Sequence, residues 1–279
     1  MTAGCREAPP APPGAAADAR LPRPRLAAGP AARLAPRDTL PDGFVYLREV
    51  DRSIIQEMRY ATAFNFVGEP IEGYDAPECV LTRQAARALA QVQADIRPRG
   101  LSLKVYDCFR PQRAVDHFVR WIRLVDRPGY EGDDERMKRA FFPTVEKRRL
   151  FREGYIARRS GHSRGSTMDL TIVRLPHTAR TTYPDPDAGP LPRCDSPAAG
   201  GVDGRLNEGD LDMGTAYDCL SPLAATDSPE VTDAARANRR MLREAMGRRG
   251  FRNYPQEWWH FTLRAEPHPG EYFDFAIGE

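Results

Sequence analysis

One short segment, Ser160 to Leu170, places a histidine and an aspartate seven positions apart, with a glycine between them. His162 and Asp169 lack the i, i+4 spacing that brings side chains together on a helix. Gly165 and its serine and threonine neighbours favour a turn, and the apolar run that follows predicts a strand. A carboxylate in such a strand is costly unless it is paired or binds a metal. The segment therefore predicts two metal ligands, although His162 alone would fit an exposed loop equally well.

A second segment near the C-terminus, Glu257-Trp258-Trp259-His260, adds a carboxylate three residues before another histidine. A glutamate close to a metal-binding histidine can act as general base on a water that the metal activates. Alone, so short a segment is a weak signal, because a tryptophan cluster with an incidental histidine would look the same. Together, the two segments supply two imidazoles and a carboxylate for a metal, plus a free carboxylate. This combination predicts zinc-assisted hydrolysis.

The two segments resemble the zinc D,D-peptidases that cleave D-Ala-D-Ala, and more narrowly the D-alanyl-D-alanine dipeptidases associated with vancomycin resistance. The similarity runs from about Tyr46 to the C-terminus. Its further matches are Arg59-Tyr60-Ala61-Thr62 with Asn65-Phe66, Gly73-Tyr74, Asp107 with Arg110-Pro111, Asn238-Arg239-Arg240 and Tyr272-Phe273-Asp274-Phe275. So many matches in the same order argue against chance.

The resemblance implies one zinc ion per chain, held by His162, Asp169 and His260 with a fourth position left for water. Three protein ligands and an open position are typical of catalysis, whereas structural zinc sites are usually closed by four ligands. In this interpretation Glu257 takes a proton from the water and passes it to the departing amine. Arg110 stabilises the oxyanion.

The resemblance also places residues around the substrate. Tyr60 and Ser160 are expected to bind its free ammonium end, and Asp107 is expected to hold Arg110 in place. From the residues alone, a core tyrosine and a weak surface Arg–Asp pair remain open interpretations. The expected reaction is hydrolysis of D-Ala-D-Ala to two D-Ala, in a pocket closed by a wall segment at Asp212 to Asp218.

Two alternatives remain open. One is a D,D-carboxypeptidase or peptidoglycan endopeptidase of the same family; a polymer substrate needs an open groove, and the match at Asp212 to Asp218 favours the dipeptidase. The other is a zinc-bearing binding module without turnover, which would need neither Glu257 nor Arg110. Two residues depart from the family pattern: Thr167 stands where many members have alanine, and Cys108 where glycine is usual.

The fold implied by the resemblance is α+β, a central antiparallel sheet with flanking helices in the D-Ala-D-Ala peptidase/hedgehog-like zinc arrangement. Local patterns agree with it. Alternating apolar residues predict strands near residues 44–50, 101–106, 168–173 and 258–263. Thr82 is the predicted N-cap of a helix that runs to Ile96, and Ser228 with Pro229 predicts the start of the last long helix.

The first forty residues differ in composition from the rest. Alanine and proline make up half of residues 1–40 and aromatic residues are absent, so the segment cannot bury enough apolar surface to fold and we expect a disordered arm. Residues 41–279 are then expected to form the zinc dipeptidase domain. A long loop insertion at 174–209, rich in proline, glycine and aspartate, is expected to overhang the site.

The five cysteines are scattered without a C-x-x-C pair, so the sequence predicts neither a disulfide framework nor a cysteine zinc site. A net charge of +2 gives no indication of a nucleic-acid partner. No apolar run is long enough for a transmembrane segment. The expected partner is a small dipeptide, and the sequence does not predict the oligomeric state. The expected location is cytoplasmic by default. It becomes the cell envelope if translation starts upstream and Cys5 is lipidated, because Thr2-Ala3-Gly4-Cys5 is similar to bacterial lipoprotein sites.

Overall fold

A computed structural model describes residues 40–130, 132, 135–178, 183–184, 191–196, 205–206 and 208–278. Apart from its last residue, the predicted arm 1–40 lies outside this part of the chain, and so do several stretches of the predicted insertion 174–209. Within the described residues, no helix combines the length and the apolar composition needed to cross a bilayer.

The helices and strands follow one another in a mixed order. In chain order they are β1 (Phe44–Tyr46), α1 (Leu47–Val50), β2 (Ile55–Gln56), β3 (Val80–Thr82), α2 (Arg83–Ile96), β4 (Leu101–Asp107), α3 (Gln112–Ile122), α4 (Glu135–Phe141), β5 (Thr167–Arg174), α5 (Asp233–Arg248), β6 (Phe251–Tyr254) and β7 (Glu257–Leu263). A five-stranded sheet has the spatial order β2-β4-β5-β7-β6. Its strands are antiparallel from β4 to β6, and the edge strand β2 is parallel to β4. The predicted mixture of helices and a sheet is confirmed, with antiparallel pairing everywhere except at that edge.

The predicted strand 44–50 is wrong in its second half. β1 ends at Tyr46, and the next four residues form α1. The chain turns there because Leu47 N–H donates to the Cys79 carbonyl and Asp51 N–H donates back to the Leu47 carbonyl, both at 2.8 Å. β1 also lies outside the main sheet, since it pairs with β3 in a separate two-stranded sheet.

The helix α2 begins where the sequence predicts. The Thr82 side chain accepts a hydrogen bond from Ala85 N–H and so caps the helix. The buried face of α2 packs in one core with α5 and with the sheet. This core supports the sheet from behind and holds its central strands in place.

The helix α5 begins later than predicted. Its N-cap is Thr232, not Ser228, because Thr232 Oγ1 accepts from Ala235 N–H at 3.1 Å. Ser228 Oγ accepts instead from Glu230 N–H at 3.4 Å and closes a turn before the helix. A proline after a serine fits such a turn as well as a helix start.

Two disulfide bonds contradict the prediction that the cysteines form no framework. Cys79 is bonded to Cys108 and Cys194 to Cys219, with Cα separations of 5.3 and 5.5 Å. The partners lie 29 and 25 residues apart in the chain, so only the folded structure reveals the pairing. Cys5 lies outside the described residues.

Candidate active site

A row of three side chains crosses the centre of the sheet. Asp107 at the end of β4 is paired with Asp169 on β5, and Asp169 is paired in turn with His260 on β7. Directly paired residues on neighbouring strands lie on the same face of a sheet. The strand register therefore brings a predicted ligand from each of the two sequence segments together.

His162 reaches the same point from the turn before β5. The segment Gly161–Arg164 forms a single 3-10 turn, and Ser160 Oγ caps it by accepting from His162 N–H at 3.3 Å. Gly165 ends the turn at φ +79°, and a Cβ at this position would collide with the ring of Phe44. Both the backbone angle and the close contact require glycine.

Three candidate metal-ligand atoms converge beside the central strands of the sheet. His162 Nε2, Asp169 Oδ1 and His260 Nδ1 lie 3.2 to 3.3 Å from one another. Ligands of a tetrahedral ion are separated by about 1.6 bond lengths, so zinc bonds of about 2.0 Å require about 3.3 Å. Asp169 Oδ1 is also buried and has no hydrogen-bond partner among the described residues. The three residues therefore fit one tetrahedral cation with a fourth position open.

Two of these ligands are held from behind. His162 Nδ1 donates to the Cys108 carbonyl oxygen at 2.7 Å and lies 3.4 Å from Asp107 Oδ2. Asp169 Oδ2 accepts from the Tyr217 hydroxyl at 3.3 Å. A hydrogen bond to one imidazole nitrogen leaves the other nitrogen unprotonated for a metal. Nε2 of His162 is thus the nitrogen that faces the two other ligands.

Glu257 and His260 meet in the same space although a regular strand would send residues three apart to opposite faces. The pairing of β6 with β7 is irregular here: Asn253 pairs with Phe261, and the next residue, Tyr254, pairs with Glu257. The Asn253 amide bridges this bulge by donating to the carbonyl oxygens of Glu257 and His260, both at 3.0 Å. As a result, Glu257 Oε2 lies 3.5 Å from His260 Nδ1.

Arg110 lies next to the ligand cluster. Its Nε and Nη2 both contact Asp107 Oδ2 at 2.9 Å, and Nη2 is 3.6 Å from Asp169 Oδ2. The guanidinium also lies over the rings of Tyr60 and Phe118, 5.1 and 5.2 Å from their centroids. These contacts fix a cation at the edge of the site.

The ligand cluster opens into a cavity of about 270 Å³. This volume lies near the lower end of the range for ligand sites, so the cavity suits a small molecule. His162 and Asp107 are fully buried behind its wall. Its lining includes the predicted site residues Tyr60, Arg110, Ser160, Asp169, Glu257 and His260.

Asp218 also lines the cavity, although the sequence predicts only that its segment closes a wall. It is buried, and Oδ2 accepts from the Tyr60 hydroxyl at 2.9 Å. Its φ of +60° is uncommon for a residue other than glycine. This backbone angle depends on the conformation of the folded loop, and no sequence motif predicts it.

Glu257 and Asp218, the two carboxyl groups of the cavity that are not metal ligands, have raised pKa values. Burial, followed by the charges of Asp169 and Asp218, raises the pKa of Glu257 well above its usual value, against the opposing effect of Arg110. Burial and then Asp169 raise the pKa of Asp218 to about 7. Crowded buried carboxylates favour a cation brought beside them. The cavity is therefore suited to a cation, either a metal ion at the ligand cluster or a positively charged group of a ligand.

Part of the insertion is tied to this wall. Cys194 is bonded to Cys219, the neighbour of Asp218, and its carbonyl oxygen accepts from Ala216 N–H at 2.8 Å. The described residues 191–196 thus lie against the wall segment. Most of the remaining insertion, on which the predicted overhang depends, lies outside the described residues.

The arrangement defines a class of protein. Two imidazoles and a carboxylate surround one point that opens to a cavity, with a further carboxylate and an arginine beside it. These are the parts of a metal-dependent hydrolase. The chain belongs to the peptidase family described as D-Ala-D-Ala dipeptidase, whose profile matches residues 41–180 and 203–278.

Curated relatives agree with this family. The chain is 37% identical over 234 residues to a D-alanyl-D-alanine dipeptidase of Streptomyces coelicolor, which covers 84% of this chain and 98% of the relative. It is 32% identical over 236 residues to one of Enterococcus faecalis, covering 85% and 98%. It is 29% identical over 207 residues to one of Escherichia coli, covering 74% and 77%. The family that the motifs predict is confirmed.

Proposed function

We propose that this protein uses one zinc ion to hydrolyse the dipeptide D-Ala-D-Ala to two molecules of D-Ala. The observation that carries the proposal is the cavity of about 270 Å³, where two of the metal-ligand residues, Asp169 and His260, face one small space together with Glu257, Arg110 and Asp218. A space of this size suits a dipeptide better than a polymer. Family membership and relatives named as D-alanyl-D-alanine dipeptidases support the same activity.

The proposal extends to the organisation of the chain. Residues 41–279 would form the catalytic domain, and the predicted arm 1–40 lies, apart from its last residue, outside the described residues. The family match omits residues 181–202, which fall within the insertion 174–209, and this supports an insertion into a shared core. A sheet with the site at its centre and helices packed against it supports the D-Ala-D-Ala peptidase/hedgehog-like arrangement.

His162, Asp169 and His260 would hold the ion. Imidazole and carboxylate ligands at tetrahedral spacing favour zinc over magnesium or calcium, which prefer oxygen ligands in larger numbers. A bound zinc ion supplies Lewis acidity, which polarises a carbonyl group and lowers the pKa of water.

Glu257 is the general base in this proposal. Its Oε2 lies 3.5 Å from His260 Nδ1 beside the ligand cluster, and the residue lines the cavity. It accepts a proton from the attacking water and delivers it to the nitrogen of the departing D-Ala. Arg110, held by Asp107, donates hydrogen bonds to the oxygen that gains negative charge.

Asp218 and Tyr60 bind the ammonium end of the dipeptide. The carboxylate of Asp218 supplies the opposite charge, and the hydroxyl of Tyr60 fixes its position at 2.9 Å. Ser160 adds a hydroxyl on the same cavity wall. A dipeptide with a free amino group satisfies these groups, whereas an acylated peptide brings no charge to Asp218.

We expect Asp218→Asn to raise KM for D-Ala-D-Ala by about tenfold to a hundredfold with a smaller change in kcat, because a hydrogen bond to a charged group contributes about 1.5–3 kcal/mol. Steady-state kinetics of amine release measure both constants. The same substitution at the exposed Asp116 serves as the control. An unchanged KM in Asp218→Asn would remove Asp218 from ammonium recognition.

Arg110→Lys is expected to lower kcat by about 10²-fold or more, since lysine keeps the charge but loses the fixed pair of donors. Lysine is preferable to alanine, because removal of the charge would leave Asp107 without its cation. Arg113→Lys, at a surface ion pair with Asp274, is the matched control and should keep normal kcat. Near-normal kcat in both variants would contradict the oxyanion role.

The decisive experiment compares two substrates with zinc-loaded protein: free D-Ala-D-Ala and an N-acylated peptide that ends in D-Ala-D-Ala. We expect release of D-Ala from the free dipeptide only. Cleavage of the acylated peptide would instead indicate a D,D-carboxypeptidase. Failure to cleave either, with zinc bound, would favour the endopeptidase or the zinc-bearing binding module.

A further inference from the structure

The disulfide Cys79–Cys108 lies directly behind the candidate metal site. The Cys108 carbonyl oxygen accepts from His162 Nδ1 at 2.7 Å. The N–H of the same residue donates to Asp107 Oδ1 at 2.9 Å. One peptide segment therefore orients a metal ligand and also contacts the carboxylate that holds Arg110.

The other half of the disulfide is firmly anchored. Cys79 N–H donates to Gln56 Oε1, and its carbonyl oxygen accepts from Leu47 N–H, both at 2.8 Å. Both cysteines are fully buried. The bond therefore attaches Cys108, in the loop that follows β4, to a different part of the fold, which consists of β2 and the segment around α1.

The strand after Cys79 supports the same histidine from a second direction. In β3, Thr82 N–H donates to the Gly165 carbonyl at 2.7 Å, at the end of the turn that carries His162. At its other end, the Val80 carbonyl accepts from Phe109 N–H at 2.9 Å. The β3 segment thus contacts both the turn that bears the imidazole and the peptide that orients it.

We infer that the Cys79–Cys108 disulfide is a positioning device that fixes the Cys108 carbonyl and thereby sets the orientation of His162 for the metal. The inference rests on the zinc site of the proposed function. By the resemblance, Cys108 stands where glycine is usual, so this bridge would be an addition to the shared catalytic residues. Both cysteines are completely buried, which fits a permanent structural role for the bond.

The chain provides its own control in the second disulfide. The bond Cys194–Cys219 closes a loop of 25 residues, against 29 for Cys79–Cys108, and it is also buried. Loops of such similar length stabilise the folded state to a similar extent. Cys219 adjoins Asp218 on the substrate side, so loss of this bond removes similar stability from a different part of the site.

The test compares the double variants Cys79→Ala/Cys108→Ala and Cys194→Ala/Cys219→Ala. We expect zinc affinity, measured by competition with a chromogenic chelator, to fall about 10- to 100-fold in the first, as for other outer-shell changes. The second should bind zinc as the wild type does, and any effect of the altered wall should fall on the KM for the dipeptide. The thermal midpoints of the two zinc-free variants should lie below that of the zinc-free wild type by similar amounts.

Two outcomes would overturn the inference: unchanged zinc affinity in the first variant, or equal weakening in both. If the first variant does not fold, Cys79→Val keeps Cys108 and refills part of the space, with Cys194→Val as its control, and the same comparison applies. A wild-type protein that binds no zinc would refute the proposed function itself, and so the two failures are distinct.

Discussion

Glu257→Gln is expected to reduce kcat for D-Ala-D-Ala by about 10²- to 10⁴-fold, the usual contribution of a general base. Glutamine keeps the size and the hydrogen-bonding capacity of the side chain but cannot accept the proton. The variant should retain zinc, because Glu257 is outside the set of three ligand atoms. Amine release measures kcat, and metal analysis measures the bound zinc.

Loss of folding would not account for this result. The carboxyl of Glu257 is buried near Asp169 and Asp218, whose charges disfavour its ionised form. A neutral amide removes that repulsion, so the thermal midpoint should be equal or higher. Glu230→Gln, at an exposed turn residue, is the control and should leave kcat unchanged. Near-normal turnover in Glu257→Gln would exclude Glu257 as the base.

His260→Ala is expected to abolish turnover by removing the metal. The substitution takes away one of three atoms that lie 3.2 to 3.3 Å apart and leaves only two protein ligands. The loss of zinc affinity should exceed the roughly 10- to 100-fold effect of outer-shell changes. Competition with a chelator measures the affinity, and zinc added in excess should restore little activity.

The control for this variant is His268→Ala, since His268 stacks on Phe44 and is not one of the three ligand residues. It should keep both zinc and activity. Wild-type protein stripped by a chelator should lose activity and regain it when zinc is returned. Full activity in the stripped protein would contradict a metal-dependent mechanism.

Elements with purely local signals could be predicted from the sequence. The helix α2 is such a case, because Thr82 caps it through a neighbouring N–H and its apolar face has helical spacing. The start of α5 could not be fixed, because Ser228 and Thr232 are both good caps and only the folded chain selects the second. The early end of β1 depends on Cys79, far away in the sequence.

The candidate site likewise combines features that the local sequence predicts with features that depend on the folded chain. The turn at Gly165 and the strand with Asp169 follow from adjacent residues, and the motif segments identify the candidate ligands. Their convergence depends on the pairing of Asp169 with His260 across two strands distant in sequence. The roles of Asn253 and Asp218 are also tertiary, since one bridges a bulge and the other adopts an unusual backbone angle.

The two disulfides also make the redox state of the surroundings relevant to the site. Such bonds form and persist in oxidising surroundings and are rare in a reducing cytosol. Reduction would release Cys108 from Cys79 on the ligand side, and Cys194 from Cys219 beside Asp218 on the substrate side. Oxidising surroundings would therefore keep both sides of the site attached to the rest of the fold.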